Sequence, residues 1–185
     1  IPSARIQIYF IDNDDYFSRK AVLHDADGSE FADNDERAIF FARGVLETVK
    51  KLRWTPTVVH CHGWFSSVVP LYLKQVFADD PIFRDVKVVV SLYDDAFSRP
   101  LDAAFGKKIA SEGVKDENIG ILDGASYENL FRFVMTYVDG IVIASHGVGD
   151  AVRKLAAESG KPVLEDGDPT APEFFDNYNR FYEAL

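Results

Sequence analysis

Short β-branched runs alternate with stretches of helical period along this chain, and that alternation limits the fold more than any other feature. Residues 5–11 (RIQIYFI), 58–61 (VVHC), 87–91 (KVVVS), 140–144 (GIVIA) and 162–164 (PVL) read as strands. Between them, Ala38, Phe41, Ala42, Val45, Val49 and Leu52 recur at spacings of three and four, which predicts a helix over 34–52. Further helices are predicted over 66–77, near 101–110, and over 127–138, 149–158 and 173–184, the last closing the chain with Phe174, Phe175, Tyr178 and Phe181 turned inward. Pro70 falls in the first turns of its helix, where a proline costs little. Strands separated by helices imply βαβ units and a parallel sheet. The expectation is one α/β domain over 1–185, a doubly wound, Rossmann-like three-layer sandwich, with 165–172 (EDGDPTAP) as the hinge before the closing helix.

Composition narrows the function. With 47% hydrophobic and 14% aromatic residues, 185 residues can bury a sizeable core and are not disordered. Twenty basic against thirty acidic residues leave a net charge of −10, which repels phosphate backbones and anionic lipid, so neither nucleic acid nor membrane is expected as a partner. No apolar run reaches the roughly 18 residues of a membrane span. Cys61 is the sole cysteine, so no intrachain disulfide forms, which fits a reducing cytoplasm. Beginning on Ile1, the sequence is read as starting inside a longer product.

The chemistry-bearing residues gather at predicted strand ends, where open α/β sheets bind ligands. His60 and His62 leave their strand on one face and Cys61 on the other. The two imidazoles suit zinc ligation, a hydrogen bond to a sugar or phosphate, or a plain strand-end role, and no third zinc ligand has a matching spacing. Asp33 stands where it can cap the 34–52 helix, with Glu36 in the capping-box position, or face a polyhydroxylated ligand in a cleft. Asp94 and Asp95 follow the third predicted strand and suit acid–base work, a divalent cation or a solvated turn. Beside them, Tyr93 and Phe97 either stack on a sugar or cover the core. Asp12, Asn13, Asp14 and Asp15 resemble half a calcium loop but read as a turn. Ser145-His146-Gly147-Val148-Gly149 joins a strand to a helix and either holds an anion on its amides or is an ordinary helix entry.

Three segments carry a family resemblance. Pro56-Thr57-Val58-Val59-His60-Cys61-His62-Gly63-Trp64, followed by Pro70-Leu71-Tyr72-Leu73, resembles the P-D-V-V-H-x-H-D-W … P-x-Y-L segment of bacterial glycogen synthases and plant starch synthases. Asp33-Asn34-x-x-Arg37, with Phe40 and Phe41, resembles their D-N-x-x-R-F helix start. Tyr137-Val138-Asp139-Gly140-Ile141-Val142-Ile143-Ala144-Ser145 resembles their Y-A-D-x-I-T-T-V-S strand. The resemblance implies the N-terminal half of a two-domain GT-B glycosyltransferase. Its reaction is transfer of glucose from ADP-glucose to an α-1,4-glucan with retention, without metal or cofactor. By the same resemblance His62 and Asp33 are the catalytic candidates; Trp64, Tyr93, Asp94, Asp95, Arg132 and Ser145 are the substrate-binding candidates beside them.

The departures are as specific as the matches. The family's H-D-W reads His62-Gly63-Trp64, its T-x-H-N reads Ser91-Leu92-Tyr93-Asp94, and Arg132 stands for the lysine of N-F-x-K-A-G. The family's lysine-glycine-glycine loop falls before Ile1, and its donor-phosphate clamp belongs to a second domain from about residue 165 onward. Transfer by this stretch alone is therefore not expected. Two alternatives stay open: a non-catalytic relative that binds glucan, sugar nucleotide or a partner enzyme, and a metal-dependent hydrolase using His60, His62, Asp94 and Asp95. The glucosyltransferase reading requires His62, Asp33 and the 93–95 turn to surround one hollow at one rim of the sheet.

Overall fold

A computed structural model describes residues 6–185. Four parallel strands, β1 (Val58–His62), β2 (Lys87–Leu92), β3 (Gly140–Ile143) and β4 (Val163–Glu165), lie side by side in chain order. His60 pairs with Val89 and His62 with Ser91, while Val89 pairs with Gly140, so the carboxyl ends of β1 to β3 form one rim. Val88, Val89 and Val90 are fully buried, as expected for a strand with a neighbour on each side and covered faces.

The helices are α1 (Asp14–Phe17), α2 (Asn34–Lys51), α3 (Val69–Gln75), α4 (Phe105–Ser111), α5 (Tyr127–Val134), α6 (Asp150–Glu158) and α7 (Phe174–Glu183). A buried stripe of Ala38, Ala42 and Leu46 holds α2 to the core. The predicted 66–77 helix divides into a 3₁₀ turn at Trp64–Ser66 and α3, with Pro70 in the first turn of α3. The four aspartate-rich residues after position 11 give a helix instead of a turn: the Asn13 side chain accepts the Tyr16 N–H, and Asp14 and Asp15 sit in the first turn, where the helix dipole favours them.

Two cores lie against the sheet. Cys61, Val88, Val90, Leu92, Ile141 and Ile143 face the main core, with side chains from α2 to α6. Val89 and Val142 face the other way and meet Phe181, Tyr178, Tyr182 and Leu185 at the C-terminal end of the chain. The three-layer α/β expectation holds, with α7 alone as the second helical layer. Strand order does not reverse among the described residues, however, which corrects the doubly wound expectation. Right-handed crossovers between strands laid down in order keep the connecting helices on one face.

The first predicted strand is also corrected. Arg5 lies outside the described residues, and residues 6–11 belong to no strand. Ile8 and Phe10 are exposed there in spite of their β-branched and aromatic character. Strand character needs a ladder neighbour, and among the described residues the outer edge of β1 carries none.

Candidate functional site

His60 and His62 stack with ring centroids 4.2 Å apart on the α7 face of β1. His60 is fully engaged: Nδ1 is hydrogen-bonded to the Tyr182 hydroxyl and Nε2 to the Ser91 hydroxyl, both at 2.7 Å. Burial, helped by the neighbouring His62, holds its pKa down at about 4, so it is neutral near pH 7. One ring nitrogen must therefore donate and the other accept. Zinc ligation through His60 would cost one of these bonds, and among the described residues no group of three or more His, Cys, Asp or Glu is placed to hold a metal. Cys61, buried on the opposite face, has its thiol pushed up to about 12 by burial and is no nucleophile.

His62 is the accessible imidazole of the pair. Its Nδ1 lies 2.9 Å from the Tyr93 hydroxyl, and crowding lowers its pKa. Tyr93 holds its proton because burial raises its own pKa. The hydrogen bond to Tyr93 engages Nδ1 and leaves Nε2 as the ring nitrogen that faces a ligand.

The turn after β2 binds the neighbouring elements. Asp95 accepts the Trp64 N–H at 3.0 Å and the Tyr127 O–H at 2.6 Å. Trp64 is only 3% exposed and packs edge-on to Phe97 with centroids 5.1 Å apart. Phe97 in turn meets Tyr127, so these rings wall the core and offer no free stacking platform. Trp64, Asp94, Asp95 and Phe97 line a hollow of about 290 Å³ together with Glu30 and His24.

Asp33 is placed differently from the capping-box expectation. No side-chain cap bond forms at the start of α2, because both Asp33 oxygens accept hydrogen bonds from Arg19 at 2.6 and 2.7 Å. That guanidinium holds the Asp33 carboxyl below the usual range. Glu36 is likewise diverted, to Lys108 at 2.9 Å. The Asn34 and Arg37 side chains of the same motif fasten the preceding loop: Arg37 donates to the carbonyls of Tyr16 and Val22 and to the Asn34 side chain, which itself donates to Leu23 O.

Arg19, Arg37, His60, His62 and Phe65 line a groove of about 710 Å³ along the outer edge of β1. Asp33 lines neither this groove nor the Trp64 hollow and reaches the groove only through Arg19. Asp94 and Asp95 line the hollow and His62 the groove, so the single hollow expected around His62, Asp33 and the 93–95 turn is corrected to two neighbouring ones. The structure thus brings His62, Tyr93, Asp95 and Trp64 together, with Asp94 at the same turn. Ser145 lies two residues past β3, on the same rim, its hydroxyl accepting the Gly147 N–H. Arg132 is not brought to the rim; it lines a separate hollow with Thr136, Glu158 and Lys161.

Sequence reasoning missed Arg19, Ser91 and Tyr182. Only the inward phase of Ser91 on its strand, matching that of His60 across the ladder, could have signalled one of them.

Comparison with known proteins adds the family context. Residues 1–161 match the family described as starch synthase catalytic domain. A glycogen synthase of Chlorobium limicola is 34% identical over 166 residues, covering 83% of this chain and 34% of the relative. The Chlorobaculum tepidum glycogen synthase is 35% identical over 123 residues, covering 61% of this chain and 25% of the relative. The chain spans about a third or less of the length of these curated relatives. In fold it is similar to the catalytic domain of starch synthase IV from Arabidopsis thaliana bound to ADP and acarbose. That match has a TM-score of 0.52 at 12% identity and covers 72% of this chain and 29% of the other.

Proposed function

This chain belongs to the starch synthase catalytic-domain family, and from that premise we propose that it forms the acceptor-side half of a retaining glucosyltransferase. The whole protein moves glucose from ADP-glucose to the non-reducing end of an α-1,4-glucan, in the cytoplasm, and its donor-phosphate clamp comes from a partner half. The observation that carries this reading is His62: a neutral imidazole at the carboxyl rim of a parallel sheet, tied through Nδ1 to Tyr93 with Nε2 left for a ligand. That nitrogen suits a hydrogen bond with a hydroxyl of the transferred glucose. A neutral ring also avoids adding positive charge beside an oxocarbenium-like centre.

The other candidates follow from their surroundings. Asp33, locked to Arg19, fixes that guanidinium at the groove and is not a proton carrier near neutral pH. Asp94, Ser145 and the Trp64 hollow line the approach of the sugars, with Trp64 as wall. Arg132 would reach a nucleotide only as a peripheral charge. Hydrogen bonds of this kind speed transfer to the extent that they strengthen as charge develops on the transferred ring.

The test uses the full-length protein with labelled ADP-glucose and glycogen. Incorporation is expected and is abolished by His62→Ala, with a loss of about a hundredfold or more in kcat if the bond is realised in the transition state. Glucan binding without incorporation by well-folded protein would turn the reading toward a non-catalytic relative.

A further inference from the structure

Gly63 follows His62 with φ 70° and ψ 175°, a conformation that only glycine occupies readily. Its N–H still donates to Ser91 O at 3.0 Å, so the ladder runs one residue past His62 before the chain turns. A Cβ at this position would overlap Asp95 Oδ2. The space of a side chain at 63 is therefore filled from β2, by a carboxylate that accepts the Trp64 N–H through one oxygen and the Tyr127 O–H through the other. Two residues earlier on the same turn, Tyr93 holds the His62 ring. The 93–95 turn thus grips the end of β1 on both sides of Gly63. Asp94 repeats the relation at β3, where a Cβ on Gly147 would overlap its carboxylate.

We propose that Asp95 is a positioning residue for His62, and that Asp95 and Gly63 are an interdependent pair in which the carboxylate at the end of β1 is delivered from the neighbouring strand. An Asp95 that merely closed its own turn would bond its own loop. Instead it holds the first amide of the 3₁₀ turn after β1 and the first residue of α5. The functional consequence for His62 rests on the reading proposed above; the pairing itself does not.

The test is a double-variant cycle in the full-length protein: Gly63→Asp, Asp95→Ala, both together, and Asp95→Asn as the conservative change. Gly63→Asp is expected to lower the thermal midpoint, and adding Asp95→Ala to it should raise the midpoint again. By nuclear magnetic resonance of labelled imidazoles, His62 should titrate nearer the ordinary histidine value in Asp95→Ala and stay as it was in Asp95→Asn. A midpoint that falls further in the double variant, or a His62 titration indifferent to Asp95→Ala, overturns the proposal. If the alanine variant does not fold, the same two measurements on Asp95→Ser decide it. Should the cycle show rescue while His62→Ala leaves glucosyl transfer intact, the pairing stands and the catalytic reading of His62 falls.

Discussion

At the scale of single residues, this rim is built from side chains whose partners lie far away in sequence. His60 meets Ser91 and Tyr182, 31 and 122 residues on. Removing the Tyr182 hydroxyl leaves a buried ring nitrogen without its partner, so Tyr182→Phe is expected to cost about 1–2 kcal/mol in denaturant unfolding. The same histidine gives the fold an acid-side dependence. Its folded pKa of about 4 lies below its unfolded value, so between the two the unfolded chain binds the extra proton. Stability is complete above the unfolded pKa and falls as pH drops toward 4, by up to about 3 kcal/mol. His60→Gln should flatten that part of the stability–pH curve, and an unchanged slope would refute the assignment. The rim position of His60 and His62 could be read from strand phase alone. Their opposite roles could not, because the contacts that occupy one and spare the other come from β2 and α7.

At the scale of elements, the far face of the sheet depends on one helix. Phe181 rests on Val89 and Val142, and a Cβ on Gly140 would come within 2.8 Å of both Phe181 and Leu185. Phe181→Ala is expected to cost about 3 kcal/mol and to raise dye binding to exposed apolar surface, since Phe181 is the buried side chain by which α7 sits on these valines. A variant that unfolds at the parent's midpoint would show that α7 is only loosely laid on. Most of the aromatic stripe of α7 was legible in sequence, but Phe175, expected inward, is exposed because it lies off the face that carries Tyr178 and Phe181. The four strands that formed were legible to within about two residues at their ends. The run over 6–11 has equal local character and forms no strand. Propensity supplies a suitable segment, and a neighbour with free amides makes it a strand.

At the scale of the whole molecule, the sheet is protected unevenly. Parallel alternation, fixed by Lys87 N–H donating to Thr57 O and Gly63 N–H to Ser91 O, turns the amides of Val58, His60 and His62 toward the outer edge of β1. Hydrogen exchange on the 185-residue chain should find the amides of β2 and β3 slowest, those of β4 fast, and these three faster than Val59 and Cys61 between them. Equal protection along β1 would mean that its edge is covered. No helix among the described residues is long and apolar enough to cross a membrane, and the net charge of −10 bears on partners, not on fold. By itself the sequence determined the parallel α/β class, the family, and which residues end the strands, because periodicity and motif spacing act locally. Only the tertiary structure decided that Arg19 takes Asp33, that Asp95 fills the place of a side chain at Gly63, and that the strands of the described residues run without reversal. Each of these depends on which distant groups compete for the same donor, space or edge, and that competition is settled only when the chain packs.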